Sequence, residues 1–243
     1  MGLEFARQLA QRGLQIVLVA RDEARLATTA SELQQQYGVA VEVLSADLAQ
    51  REGLELVKAR LLDQTKPITV FINNAGAGCY DRLTSTDYSG IRHSAELMAL
   101  APMELGGAAA VAMQERGSGL ILSTASFAAL LPMGAYSAIK VMLKYWSDSL
   151  YTELAGTGVH VVTFLPSWVH TEFHARTGVS NSSIPKMLWM NADVVVAEAL
   201  AAAEAGKSSV IPGFKMRVAA FFVKHLPSGV LRVIGKKLNK GRR

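Results

Sequence analysis

Residues 68–76 read Ile-Thr-Val-Phe-Ile-Asn-Asn-Ala-Gly, a short β-branched apolar run that stops on two asparagines and a glycine. The run suits a strand buried on both faces, and the residues after it suit a sharp exit at its carboxyl end. The same unit occurs twice upstream. Leu3, Ala6, Leu9 and Ala10 keep helical spacing up to Gly13, and Leu14-Gln15-Ile16-Val17-Leu18-Val19-Ala20 follows as a strand. An amphipathic stretch near 22–36 leads into a strand at 39–44, and another near 50–63 leads into 68–72. Downstream come a long helix-compatible stretch near 86–116, a strand at 119–124, a helix near 134–155 and a strand at 159–165. A helix around 193–204 and a short strand at 208–211 close the series. Strands alternating with helices predict an α/β fold with a parallel, doubly wound sheet.

At 243 residues, half of them hydrophobic and 19% charged, the chain is long enough for one large core, so a single domain is expected. The lone cysteine, Cys79, forms no internal disulfide and no thiolate zinc site, which fits a reducing cytoplasm. Met1 runs straight into Gly-Leu-Glu-Phe-Ala-Arg without the apolar core of a signal peptide, and no unbroken apolar run reaches spanning length, so no membrane crossing is expected. The net charge of +5 is uneven: residues 214–243 hold nine Lys or Arg and no acid, while the other 16 cations face 20 acids, a net of −4 over 1–213. A nucleic-acid-binding body is thereby excluded, and the chain divides into a domain over 1–213 and a basic amphipathic extension over 214–243.

Tyr136 and Lys140 lie four apart in Tyr136-Ser137-Ala138-Ile139-Lys140, on one face of a predicted helix. A phenol of ordinary pKa is about 0.1% ionised at neutral pH, an unfavourable ionisation of roughly 4 kcal/mol. A lysine cation about 5 Å away at an effective dielectric near 20 is worth roughly 3 kcal/mol, which brings the phenol within reach of acid/base work. Three segments lie just past strand ends, where open α/β sheets bind ligands: Asn73-Asn74-Ala75-Gly76, the stretch before Tyr136, and Pro166 with Thr171.

Taken in order, N-N-A-G, a serine, Y-x-x-x-K and P-x-x-V-x-T resemble the short-chain dehydrogenase/reductase family over nearly the whole chain. The resemblance implies a Rossmann-like fold and hydride transfer between a nicotinamide cofactor and a carbonyl or alcohol carbon. It implies Tyr136 as proton donor or acceptor, Lys140 as holder of the ribose hydroxyls, and a serine that orients the substrate oxygen. It also places Gly2, Asn73, Ala75, Gly76 and Thr171 against the cofactor. Asp47 resembles the family's acidic contact to adenine; read on its own it is equally a helix cap for the stretch starting near Gln50.

Two serines compete for the catalytic place. The family's usual interval back from Tyr136 gives Ser123, whereas strand register from Gly119 gives Ser126 with three residues lost from the loop, and register favours Ser126. Ala20 followed by Arg21 offers no carboxylate for a ribose 2′-hydroxyl and one cation for a 2′-phosphate, which favours NADP over NAD. The competing reading pairs Arg21 with Asp22 or Glu23 at a solvated strand end.

The family fingerprint opens with a strand and T-G-x-x-x-G-x-G, of which only Gly2 is present. Without that strand its two neighbours are expected to lose a hydrogen-bonding partner and the pyrophosphate most of its amide cradle. The expectation is therefore a chain truncated at its N-terminus: either the true chain begins some 15 to 20 residues upstream, roughly one strand plus a loop, or this product is crippled. Met98 stands where the family supplies an asparagine for a proton-relay water, His93 and Glu96 nearby suit a solvated helix face, and Ser167 replaces a glycine. These departures keep a second reading open, a catalytically silent binding or scaffold protein.

The stretch 166–190 is the least regular and reads as a substrate lid. Its Ile184, Met187, Leu188, Trp189 and Met190 fit either a lipophilic substrate or ordinary packing. The resemblance implies a homo-oligomer, a dimer by default, paired through the helices near 86–116 and 134–155. The basic tail fits both a helix packed on the domain and a peripheral contact with an anionic membrane.

Overall fold

The computed structural model describes residues 1–170 and 189–240, with side chains to 236. In chain order the elements are α1 (Gly2–Gln11), β1 (Ile16–Ala20), α2 (Glu23–Tyr37), β2 (Val41–Ser45), α3 (Arg51–Leu62), β3 (Val70–Asn73) and α4 (Ser89–Ala95). A π-helical turn (Glu96–Leu100) leads into α5 (Ala101–Arg116), followed by β4 (Gly119–Thr124), a 3-10 helix (Phe127–Leu130), α6 (Ala135–Glu153) and β5 (Val159–Phe164). The chain goes on through β6 (Trp168–His170), β7 (Trp189–Asn191), α7 (Ala192–Glu204), β8 (Ser209–Val210), α8 (Phe214–His225) and α9 (Ser228–Lys240).

Every strand pairing is parallel, as the alternation predicts. The strands form a four-stranded sheet in the order β3-β4-β5-β8 and a separate β1-β2 pair. Successive residues point to opposite faces of the sheet. Ile121 and Val161 thus pack with Leu105, Ala109 and Met113 of α5 and Leu54 and Val57 of α3, while Leu122 and Val162 pack with Phe5 of α1 and Val195, Val196 and Leu200 of α7. Phe5 meets Phe164 edge-on with ring centroids 5.8 Å apart, which holds the start of α1 against the carboxyl end of β5. Gly38 and Gly117 end α2 and α5 at φ +69°, a left-handed conformation that glycine adopts without Cβ strain.

β1 and β3 share no ladder among the described residues: β1 pairs with β2, and β3 with β4. Three sequence readings need correction. The ends of the stretch read as irregular, 166–190, pair as a short parallel ladder, Trp168 with Trp189 through His170 with Asn191. The helix read as continuous over 86–116 carries the π-helical turn, where one extra residue per turn re-aims the side chains around Met98. Finally, Ser89–Arg116 is long and apolar enough to cross a membrane although no run in it is unbroken; most of its apolar window is buried, as in a core helix.

Candidate active site

The carboxyl ends of β3, β4 and β5 bring most of the named residues together. Asn73 is the last residue of β3, one position later than the predicted end of that strand, and it aligns with Ser123 of β4, which aligns with Thr163 of β5. The Asn73 side chain is buried, and its Nδ2 donates to the Pro102 carbonyl at 2.9 Å, tying β3 to α5. Its side-chain donor is thus spent on the fold. Ala75 and Gly76 follow, and a Cβ on Gly2 would lie 2.8 Å from Asn74 Nδ2, so the first turn of α1 abuts the Asn-Asn-Ala-Gly segment. Around Gly76 the protein leaves ordinary space, with Met98 Sδ 3.6 Å from the Cβ an alanine would carry. Protein packing therefore does not account for this glycine, whereas a cofactor lying against the segment does.

Helix α6 has Gly134 as its cap, and Ser137 of its first turn ties back to it: the Ser137 Oγ accepts from Met133 N at 2.8 Å and donates to the Gly134 carbonyl at 2.9 Å. That cap fixes the turn carrying Tyr136, which is half-buried against Met98, Cys79 and Ile139. One turn on, Lys140 is buried and its Nζ donates to the Thr124 carbonyl at 2.8 Å. Burial lowers the Lys140 ammonium from the ordinary 10.5 to about 8. The helix thus presents a phenol and a desolvated cation on one face, as their spacing predicts.

The two serines occupy different environments. Ser123 lies within β4 on the face shared with Ile121, fully buried, its Oγ without a hydrogen-bond partner among the described residues. Ser126 lies past the strand end as the cap of the 3-10 helix, where its Oγ accepts from Ala128 N at 3.1 Å and keeps its own proton to donate. Thr124, whose carbonyl anchors Lys140, was missed by sequence reasoning because a backbone acceptor leaves no residue-type signal.

At the far end of the site the register places Ala20 beside Ser45, which brings Arg21 close to Asp47. The Arg21 guanidinium is 3.8 Å from Asp47 Oδ2. This corrects the competing pairing with a following acid: Asp22 caps α2 by accepting from Arg25 N at 3.0 Å. Asp47 does not cap α3 either, since the capping position is Gln50; its Oδ1 accepts from Ala49 N at 3.0 Å in the preceding turn. Gly53 permits this turn, because a Cβ there would lie 2.4 Å from the Asp47 carbonyl oxygen.

Met98 is fully buried beneath the Gly76-Ala77 peptide, and its Sδ accepts from Ala77 N at 3.3 Å. His93 and Glu96 are exposed, as expected. Cys79 is buried 3.7 Å from Asp81, and burial raises its thiol above the ordinary value, which leaves it a poor nucleophile. Thr171, Ile184, Met187 and Leu188 lie outside the described residues.

A nicotinamide cofactor fits this donor set. Besides Ser123 Oγ, the buried atoms Asn74 Oδ1, Thr124 Oγ1 and Ser167 Oγ have no hydrogen-bond partner among the described residues, and they follow or end β3, β4 and β5. Buried polar groups are ordinarily paired, so orphans gathered at one sheet edge mark a place for a polar ligand.

Comparison with known proteins identifies the family. The short chain dehydrogenase family profile matches residues 1–181. A very-long-chain 3-oxoacyl-CoA reductase of Meyerozyma guilliermondii is 32% identical over 76% of the chain, which spans 58% of that relative's length. The ketoacyl reductase HetN of Nostoc is 30% identical over 87% of the chain and 74% of its own. Among solved structures, a short-chain dehydrogenase from Sphingobium yanoikuyae in complex with NADPH superposes with a TM-score of 0.82 at 31% identity, covering 91% of this chain and 88% of that one. A profile match over most of the chain, with relatives and a solved structure at 30% identity or more, places the chain in the short chain dehydrogenase family of oxidoreductases.

Proposed function

We propose that residues 1–213 carry an NADP(H)-dependent carbonyl reductase or alcohol dehydrogenase acting on a lipophilic substrate, with NAD the poorer cofactor. The observation that carries this reading is Lys140, buried and anchored on Thr124 one turn from Tyr136, with Ser126 on the same strand end. Bound nicotinamide supplies or takes the hydride. In reduction the Tyr136 hydroxyl gives its proton to the oxygen that becomes the alcohol; in oxidation the phenolate takes it back. The Lys140 cation lowers the cost of the phenolate and meets the ribose hydroxyls, and the Ser126 hydroxyl donates to the substrate oxygen. Gly2, Asn73, Ala75 and Gly76 would line the cofactor, Asp47 would meet its adenine, and Arg21 its 2′-phosphate.

NADPH in the Sphingobium yanoikuyae structure supports the cofactor, and the acyl substrates named for the two reductases support a lipophilic carbonyl. The apolar cluster of Phe127, Leu131, Met133 and Trp168 beside Ser126 suits such a substrate. Exposed Leu100, Val111, Met142 and Tyr145 on the α5 and α6 side support a homodimer, which sedimentation velocity reads directly; a monomer at micromolar concentration overturns that part. The buried, unpaired Cys79 accords with a reducing compartment.

The test is NADPH oxidation by the 243-residue protein against ketones, aldehydes and acyl thioesters, alongside calorimetry with NADPH. Carbonyl-dependent oxidation supports the reductase. NADPH binding without turnover on any carbonyl, or no NADPH binding at all, supports instead the silent binding protein, the reading favoured by the lack of a ladder between β1 and β3 among the described residues.

A further inference from the structure

Helix α8 carries two apolar rows. Met216, Ala220 and Val223 point inward and join Phe127, Leu131 and Met133 of the segment between β4 and α6. Phe214, Val218, Phe221 and Phe222 follow another helical row and are 73%, 39%, 61% and 59% exposed. Val230 and Val233 of α9 are also exposed, whereas Leu231 and Ile234 pack on the inward cluster. The fold thus uses one face of these helices for its core and leaves a second, aromatic one in water. Single exposed apolar side chains are ordinary, but an ordered row of them marks an interaction surface.

The charge around this row identifies the partner. Lys215, Lys224, Arg232 and Lys236 are exposed, and residues 214–243 contain no acid among nine Lys and Arg. Arg217 is held by Glu198 of α7 at 2.9 Å. A second copy meeting the first through this face brings its own Lys215, Lys224, Arg232 and Lys236 against these cations. Duplex nucleic acid rewards the cations but leaves the phenyl rings in water. An anionic bilayer takes both, because the cations meet lipid headgroups and the rings enter the boundary beneath them.

We propose that α8 and α9 dock the protein on an anionic membrane surface, with Phe214, Phe221 and Phe222 entering the headgroup region and Lys215, Lys224, Arg232 and Lys236 over the lipid charges. Because α8 packs on the 127–133 segment that follows Ser126, docking sets the substrate side of the molecule beside the bilayer, where lipophilic carbonyls are concentrated. That consequence rests on the proposed reductase activity; the docking itself does not.

The full chain is sedimented with vesicles of phosphatidylcholine alone and of phosphatidylcholine with phosphatidylserine, at low and high salt. The expected result is pelleting on phosphatidylserine vesicles at low salt and release at high salt. F221S/F222S changes two exposed rings and is expected to keep the thermal transition of the parent while lowering vesicle partition about tenfold or more. K215E/K224E is expected to weaken pelleting on phosphatidylserine similarly. The proposal is overturned if the parent stays in the supernatant with phosphatidylserine at low salt. It is overturned equally if F221S/F222S pellets like the parent, which indicates a surface that reads charge alone, or if that variant dissociates a vesicle-free oligomer, which indicates a second copy as the occupant. Pelleting requires no turnover, so failure of the reductase reading leaves this outcome intact.

Discussion

β4 and β5 are buried along most of their length, whereas β1 and β2 are half-exposed along most of theirs and β1 shares no ladder with β3 among the described residues. The first pair lies between two helical layers and carries the groups that would move a proton, with Lys140 hung from Thr124 at the end of β4. The second pair leads into Arg21 and Asp47, whose charges lie 3.8 Å apart at a solvated edge. Electrostatics scales inversely with the local dielectric, so one lysine in the closed half outweighs an ion pair in the open half. Substitutions should therefore differ sharply in effect according to the half they touch.

The largest effect belongs to Tyr136. Tyr136→Phe removes the transferable proton but keeps the ring that packs on Met98 and Cys79, so turnover is expected to fall about 10²- to 10⁴-fold with NADPH affinity little changed. Single-turnover NADPH oxidation with parallel calorimetry checks this. Parental turnover breaks the comparison at its strongest point.

Next comes a pH signature of stability. Burial lowers Lys140 to about 8 in the folded protein against 10.5 for the free group. Between those values the unfolded chain binds a proton that the folded one does not, so stability rises with pH across this window, by about 3 kcal/mol in all. Below about pH 8 the buried charge is a standing cost. Urea unfolding from neutral to about pH 10 is expected to show the rise, and Lys140→Met to abolish it. Arg21→Ala, in the exposed half, is expected to leave it unchanged.

The same contrast explains what was legible in the sequence. Apolar runs such as 119–124 and the Y-x-x-x-K pair are local signals, and both appear in the structure where their spacing puts them. The π-helical turn under Gly76, the ladder joining Trp168 to Trp189 and the Thr124 anchor of Lys140 depend on neighbours distant in sequence or on backbone atoms, and no residue pattern announces them. Asp47 shows the middle case: its type suits a cap, and it does cap a turn, but the clearance supplied by Gly53 moves that turn ahead of α3. Ser123 and Ser126 likewise need three dimensions, since only their placement within and beyond β4 separates them.

That separation gives a third prediction of smaller size. Ser126→Ala removes a hydroxyl that has a proton to donate at the sheet edge, and kcat is expected to drop about 10- to 100-fold. Ser123 Oγ is buried without a partner among the described residues, so Ser123→Ala is expected to leave turnover within about twofold and to hold or raise stability by up to about 1 kcal/mol. Thermal denaturation and steady-state kinetics on both variants decide the assignment. A larger kcat loss at Ser123 moves the role there.

The smallest effect belongs to Arg21, whose side chain is 67% exposed. A pair so exposed contributes at most about 0.5 kcal/mol to folding, so Arg21→Ala should leave the thermal transition in place. Its effect lies in cofactor choice. A guanidinium on a 2′-phosphate makes charge-assisted hydrogen bonds, which exposure to water and salt weakens to roughly a tenfold difference in affinity. KM for NADPH is accordingly expected to rise about tenfold at low salt and less at high salt, with KM for NADH unchanged, because NADH carries no phosphate at that position. Asp47→Asn provides the contrast: it releases Arg21 from its 3.8 Å partner while altering an adenine contact common to both cofactors, so it should shift the two KM values together. If Arg21→Ala raises both KM values equally, Arg21 supports the β1–β2 edge rather than the phosphate, and the preference for NADP lies elsewhere in the open half of the molecule.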